Sequence, residues 1–223
     1  MSTTGLRLVY ANAKNTLMRH NINPAKAVLS QSYLRFEAPL SLTTTQYNFD
    51  VLVNDNTQPQ YVSQVKLALQ DSFICSNIGI YIGIPSPGVT PVTDGAVKLY
   101  SYPDETVFTA TTALALNCLY TGFLSLTVNQ RVIVPHWDLY RHYCAPLTQN
   151  GSPVNVAAGS AVDNSTNFAS DGTYNVEPNM VFVGSKKNQL QITLPQALTA
   201  IPANSRIVII ARGLLAQNST PVR

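Results

Sequence analysis

The stretch "FICSNIGIYIGI", residues 73–84, places isoleucine at every second position from Ile78 to Ile84, with Ile74 in the same phase. Side chains that recur with period two share one face of an extended strand, whereas a helix needs a period near 3.6. This stretch therefore reads as a buried strand. Ile74, Ile78, Ile80, Ile82 and Ile84 form one face. Phe73, Cys75, Asn77, Gly79, Tyr81 and Gly83 form the other, which is uncharged and suited to close packing.

The same period runs through much of the chain. "SYLRFEA" sets Leu34 and Phe36 against Tyr33, Arg35 and Glu37, and "QYNFDVLV" sets Tyr47, Phe49, Val51 and Val53 against Asn48, Asp50 and Leu52. After the turn chemistry of "NDNTQP", "YVSQVKLAL" aligns Tyr61, Val65, Leu67 and Leu69 as a further strand. The proline-rich loop "PSPGVTPVTDG" precedes a short strand, "VKLYSYP". The period then changes: Val107, Ala110, Leu114 and Cys118 predict a helix over residues 105–120, with Asp104 and Glu105 at its positive end and Gly122 after it. "FLSLTVNQRVIVP" reads as a hairpin turning at Asn129 and Gln130. Residues 149–179 lack periodicity and are rich in Gly, Ser, Asn and Asp, which predicts a long loop. "MVFVG", "QLQITLP" and "SRIVIIARG" close the chain, and the last is apolar on both faces, as a central strand should be. Many short strands with one helix predict an all-β fold: a β-sandwich of jelly-roll type with an N-terminal arm and one inserted helix. Residues 28–223 form the single sandwich domain and residues 1–27 the arm.

The arm is basic. The first carboxylate of the chain is Glu37, so Arg7, Lys14, Arg19, Lys26 and Arg35 precede every acid. Leu6, Val9, Tyr10, Ala13 and Leu17 recur at helical spacing, predicting a short amphipathic helix that stops near "NINP", since the residue before Pro24 disfavours helix. A helix so short is marginal alone and needs a surface to lie on. Charge is scarce elsewhere, at 11% of residues against roughly 25% in typical soluble domains. A surface polar in Asn, Gln, Ser and Thr but poor in charge suits packing against copies of itself.

Chemistry-bearing motifs are few. "PHWDLYRHYCAP" gathers His136, Asp138, His142 and Cys144, but the partners of a nucleophilic triad meet through tertiary structure rather than in one short run. We read it structurally, with Trp137 and Tyr140 as candidate subunit contacts. The remaining histidine, His20, sits in the arm, so no metal set is expected. No glycine motif indicates a nucleotide, and no cofactor is expected. Lys186 and Lys187 in "GSKKN" read as a solvated hairpin tip. Cys75, Cys118 and Cys144 show no CxxC spacing, in keeping with synthesis in a reducing cytoplasm. The apolar run Leu6 to Tyr10 is too short for a secretory signal.

In general layout the chain resembles viral capsid proteins of the jelly-roll type, bacteriophage coats among them. The resemblance is carried by the acid-free arm "GLRLVYANAKNTLMRHNINPAK", the strands "FICSNIGIYIGI" and "SRIVIIARG", and the turn-rich loop over 149–179. It implies a non-enzymatic coat subunit made in the host cytoplasm and resident in the virion. Its partners would be copies of itself and other virion proteins. The arm residues Arg7, Lys14, Arg19, Lys26 and Arg35 would make interior or assembly contacts, with nucleic acid or an acidic surface as a further partner. Five charges are fewer than coats that neutralise RNA carry, so assembly is the first expectation. An accessory decoration, spike or carbohydrate-binding module is the alternative.

Overall fold

The computed structural model describes residues 3–53, 61–85, 97–100, 103, 108–143 and 173–219. Helix α1 (Thr3–Arg19) leads into β1 (Val28–Pro39), β2 (Gln46–Phe49), β3 (Ser72–Pro85) and β4 (Val97–Tyr100). Helix α2 (Ala110–Tyr120) follows, then β5 (Phe123–Val128), β6 (Arg131–Asp138), a 3₁₀ turn (Leu139–His142), β7 (Thr173–Val183), β8 (Asn188–Thr193) and β9 (Arg206–Gln217). One sheet runs β1-β9-β3, with β7 and β4 sharing the far edge of β3, and the other runs β2-β8-β5-β6. Setting β4 aside, antiparallel pairs nest one inside another: β1 with β9, β2 with β8, β3 with β7, β5 with β6. That nesting is the jelly-roll order.

The two inner faces meet in one core. Leu34 and Phe36 of β1, Ile207 and Ile209 of β9, and Ile78, Ile80 and Ile82 of β3 face Tyr47, Phe49, Leu124, Leu126, Leu190 and Ile192 of the other sheet. As the apolar residues on both of its faces predict, β9 is central. The β5–β6 hairpin turns at Asn129 and Gln130, with φ of 47° and 65°, the left-handed pair of a type I′ turn.

Strand β3 departs from the single-face expectation. Between Cys75 and Asn77 the register shifts against β9, so two residues of β3 step past one of β9. This bulge reverses the parity of the strand. Phe73 and Cys75 therefore enter the core beside Ile78, and Ile74 points to the outer face. Gly213 lies opposite Cys75, where a Cβ would overlap the Ile74 carbonyl oxygen.

Other expectations are corrected. The segment "YVSQVKLAL" is no strand: it makes only isolated bridges, Arg35 to Val65 and Leu52 to Leu67. It crosses from one sheet to the other and covers part of the β1 edge, and Leu69 is exposed. Strand β2 ends at Phe49, where Asp50 turns inward toward Lys66 instead of continuing the alternation. Helix α2 starts at Ala110, capped by the Thr109 hydroxyl, which accepts from Thr112 N. Asp104 and Glu105 lie outside the described residues. The loop expected over 149–179 stops at Thr173, where β7 begins, and its residues 149–172 lie outside the described residues.

Candidate assembly surfaces and a basic pocket

The arm returns to its own domain. Ala13 and Leu17 of α1, with Ile22 beyond it, pack on the outer face of the β1-β9-β3-β7 sheet against Ile74, Val181, Val183 and Ala216. The helix end has a specific cause. Ile22 N donates to Leu17 O and Asn21 N to Met18 O, both at 3.0 Å, while Asn21 adopts φ 59°. These are the paired bonds of a Schellman motif with asparagine in the left-handed position, and Leu17 against Ile22 is its hydrophobic contact. The stop expected at "NINP" is thus made by its first residue, Asn21, ahead of Pro24.

That stop aims Arg19 and His20 at the tips of two hairpins. Asn129 N donates to Lys187 O at 2.9 Å and Lys187 N to Asn129 Oδ1 at 2.8 Å, tying the β5–β6 turn to the β7–β8 turn. Asn188 braces the second turn, donating to Val183 O and Lys186 O. Between helix end and turns lies a pocket of about 530 Å³ lined by Arg19, His20, Arg131 and Lys186, over an apolar floor that includes Val181 and Val183. Among the described residues no carboxylate lines it. Burial lowers the pKa of His20, and the positive charges of Lys186 and Arg131 lower it further.

The expected arm residues do not act as one group. Lys14 and Lys26 are exposed, Arg19 lines the pocket, and Arg7 lies on α1 with its side chain outside the described part. Arg35 stands apart on β1, where its Nε donates to Glu37 Oε1 at 2.7 Å. Arg206 NH1 donates to Glu37 Oε2 at 2.7 Å, Ser63 Oγ also donates to Oε1, and the Arg206 guanidinium lies 4.1 Å from the Tyr61 ring centroid. This buried cluster fastens the crossing segment to the sheet.

Trp137 and Tyr140 belong to two separate sets of aromatic contacts around the end of β6. Trp137 Nε1 donates to His142 Nε2 at 2.9 Å, and Arg141 sits 5.2 Å from the indole centroid. Tyr140 is 64% exposed and stacks on Tyr143 at 5.8 Å and 9°, while Tyr174 meets His142 edge-on. Asp138 Oδ1 accepts from Tyr140 N at 2.9 Å, so Asp138 and His142 take different partners instead of the mutual bond a triad needs. Cys144 lies outside the described residues. Among the described residues no three His, Cys, Asp or Glu side chains gather closely enough to hold a metal ion.

Sequence reasoning missed the pocket and the Glu37–Arg206 pair. The pocket's signal was a basic residue beside each of two tight turns, Arg131 after "NQ" and Lys186 in "SKKN"; for Glu37 it was a lone acid in a strand otherwise destined for burial. No family model, curated protein or solved structure matches this chain.

Proposed function

We propose that this chain is a self-assembling structural subunit of a virus particle, a coat protein without a reaction of its own. The observation that carries the reading is a jelly roll whose charge-poor surface leaves large apolar side chains outside. Leu114 on α2 is 74% exposed, Tyr140 64%, and Val28 and Tyr33 on the β1 edge are also exposed. Such residues, on α2, in the neighbouring 3₁₀ turn and along the β1 edge, are what contacts between copies would cover. The arm, through Lys14, Arg19 and Lys26, faces neighbouring subunits or the particle interior. Its partners are copies of itself and other virion proteins, and its location is the virion.

The test is sedimentation velocity and negative-stain imaging of the full-length chain over a range of protein concentrations. Rings, capsomers or closed particles are expected, with assembly weakened by Leu114→Ser or Tyr140→Ser while the fold is retained. A monodisperse monomer throughout sinks the reading. The exposed Tyr140–Tyr143 stack favours one second reading, a carbohydrate-binding accessory module, since sugars pack on exposed aromatic faces. A monomer that binds glycans, and loses that binding in Tyr140→Ser, would establish it.

A further inference from the structure

We propose that the pocket between the α1 terminus and the two tied hairpin tips binds the phosphate group of a nucleotide-sized ligand. Arg19, His20, Arg131 and Lys186 come from three separate places in the chain and converge there, with no carboxylate among the described residues of the lining. Among the described residues the ion pairs are Arg35 and Arg206 with Glu37, and Lys66 with Asp50. None of these engages the pocket. Gathering like charges in one concavity raises the energy of the empty site, and an anion relieves it. Burial is the larger cause of the lowered pKa of His20, and the Lys186 and Arg131 charges add their repulsion to it.

The arrangement favours phosphate over a carboxylate. Two guanidinium groups and an ammonium supply about three positive charges, matching a dianion better than a single carboxylate, and guanidinium forks fit phosphate oxygens in pairs. The space also exceeds a bare oxyanion. At about 530 Å³ it falls within the roughly 300–1,000 Å³ of small-molecule sites. Val132 and Ile133, both exposed, join Val181 and Val183 in an apolar wall against which a base or sugar would rest. The frame is built beforehand: the reciprocal Asn129–Lys187 bonds and the Schellman end of α1 hold the cationic positions without a ligand. The phosphate comes from a free nucleotide or from a nucleic-acid backbone. The inference stands independently of assembly.

The experiment titrates dispersed full-length protein with inorganic phosphate, adenosine monophosphate and a short oligodeoxythymidine, using calorimetry and thermal shift. Arg131→Gln and Lys186→Gln each should weaken binding at least about tenfold, the loss expected for one charge-assisted hydrogen bond. Lys98→Gln, which removes an equal charge from the exposed position of β4, should leave binding unchanged. Circular dichroism of each variant checks the fold, and His20→Gln tests the opposite wall. Adenosine monophosphate binding as tightly as the oligonucleotide identifies a free nucleotide as the source. Tighter oligonucleotide binding, with a salt slope that falls by roughly 0.7 per cation removed, identifies the nucleic-acid backbone. No saturable binding of any of the three probes, or equal weakening by Lys98→Gln, overturns the proposal.

Discussion

Replacing Glu37 by Leu should be among the most damaging single changes to this fold. The carboxylate is fully buried and accepts from Arg35, Arg206 and Ser63, and the Arg206 side chain is itself inaccessible to solvent. Loss of the acid leaves one guanidinium buried with its countercharge gone and another half-released. Breaking a buried pair from one side costs about 3–5 kcal/mol, because the remaining charge keeps its desolvation penalty. For a domain of this size that corresponds to a melting-temperature drop of about 6–20 °C. The companion Glu37→Leu/Arg206→Met variant removes the two fully buried charges and leaves only the partly exposed Arg35, and hydrophobic replacement of a buried pair is often near neutral. It should therefore regain most of the loss, less about 1 kcal/mol for the Arg206–Tyr61 stacking. Chemical denaturation of wild type, both single variants and the double gives the coupling directly. A Glu37→Leu cost below about 1 kcal/mol, or a double variant equal to the sum of the singles, refutes the account.

Three further outcomes follow from buried or crowded groups. Tyr120 is wholly buried and its hydroxyl has no partner among the described residues, so Tyr120→Phe should raise stability by about 1 kcal/mol in thermal denaturation. Burial pushes the Cys75 thiol up to about 12, so iodoacetamide near neutral pH should leave it unlabelled in folded protein and label it once the chain is unfolded. The folded-state pKa of His20 lies below its ordinary range, so below about pH 6.5 the unfolded chain binds the extra proton more readily. Acidification through that window should lower stability and loosen the α1 amides in hydrogen exchange. His20→Gln should flatten this dependence.

The framework was readable wherever one face of a strand is buried and the other is not. Leu34 and Phe36, Leu190 and Ile192, and the Asn129–Gln130 turn each announced themselves by local pattern, and local pattern suffices for nested hairpins. The residues it misplaced depend on partners distant in sequence. Tyr61 covers the Arg206 guanidinium of β9, Leu67 bridges to Leu52 just beyond β2, and Ile74 is apolar because α1 covers it. The pocket joins residues more than a hundred positions apart, from Arg19 to Lys186, and only the closed sheet order brings them together. Arg35 shares only its sign with the arm, whereas Glu37, two residues away on the same face, decides its role.

The irregularity at Ser76 amounts to a phase change within β3. Upstream of it the strand offers Ile74 to the helix layer; downstream, the same register would have turned the isoleucines outward and Tyr81 into the sandwich. Excising one residue there would act as a frameshift in space, leaving every side chain chemically intact while exchanging the audiences of half the strand. One spare position thus allows a single ribbon to serve three layers, and Gly213 must stay bare to make room for it.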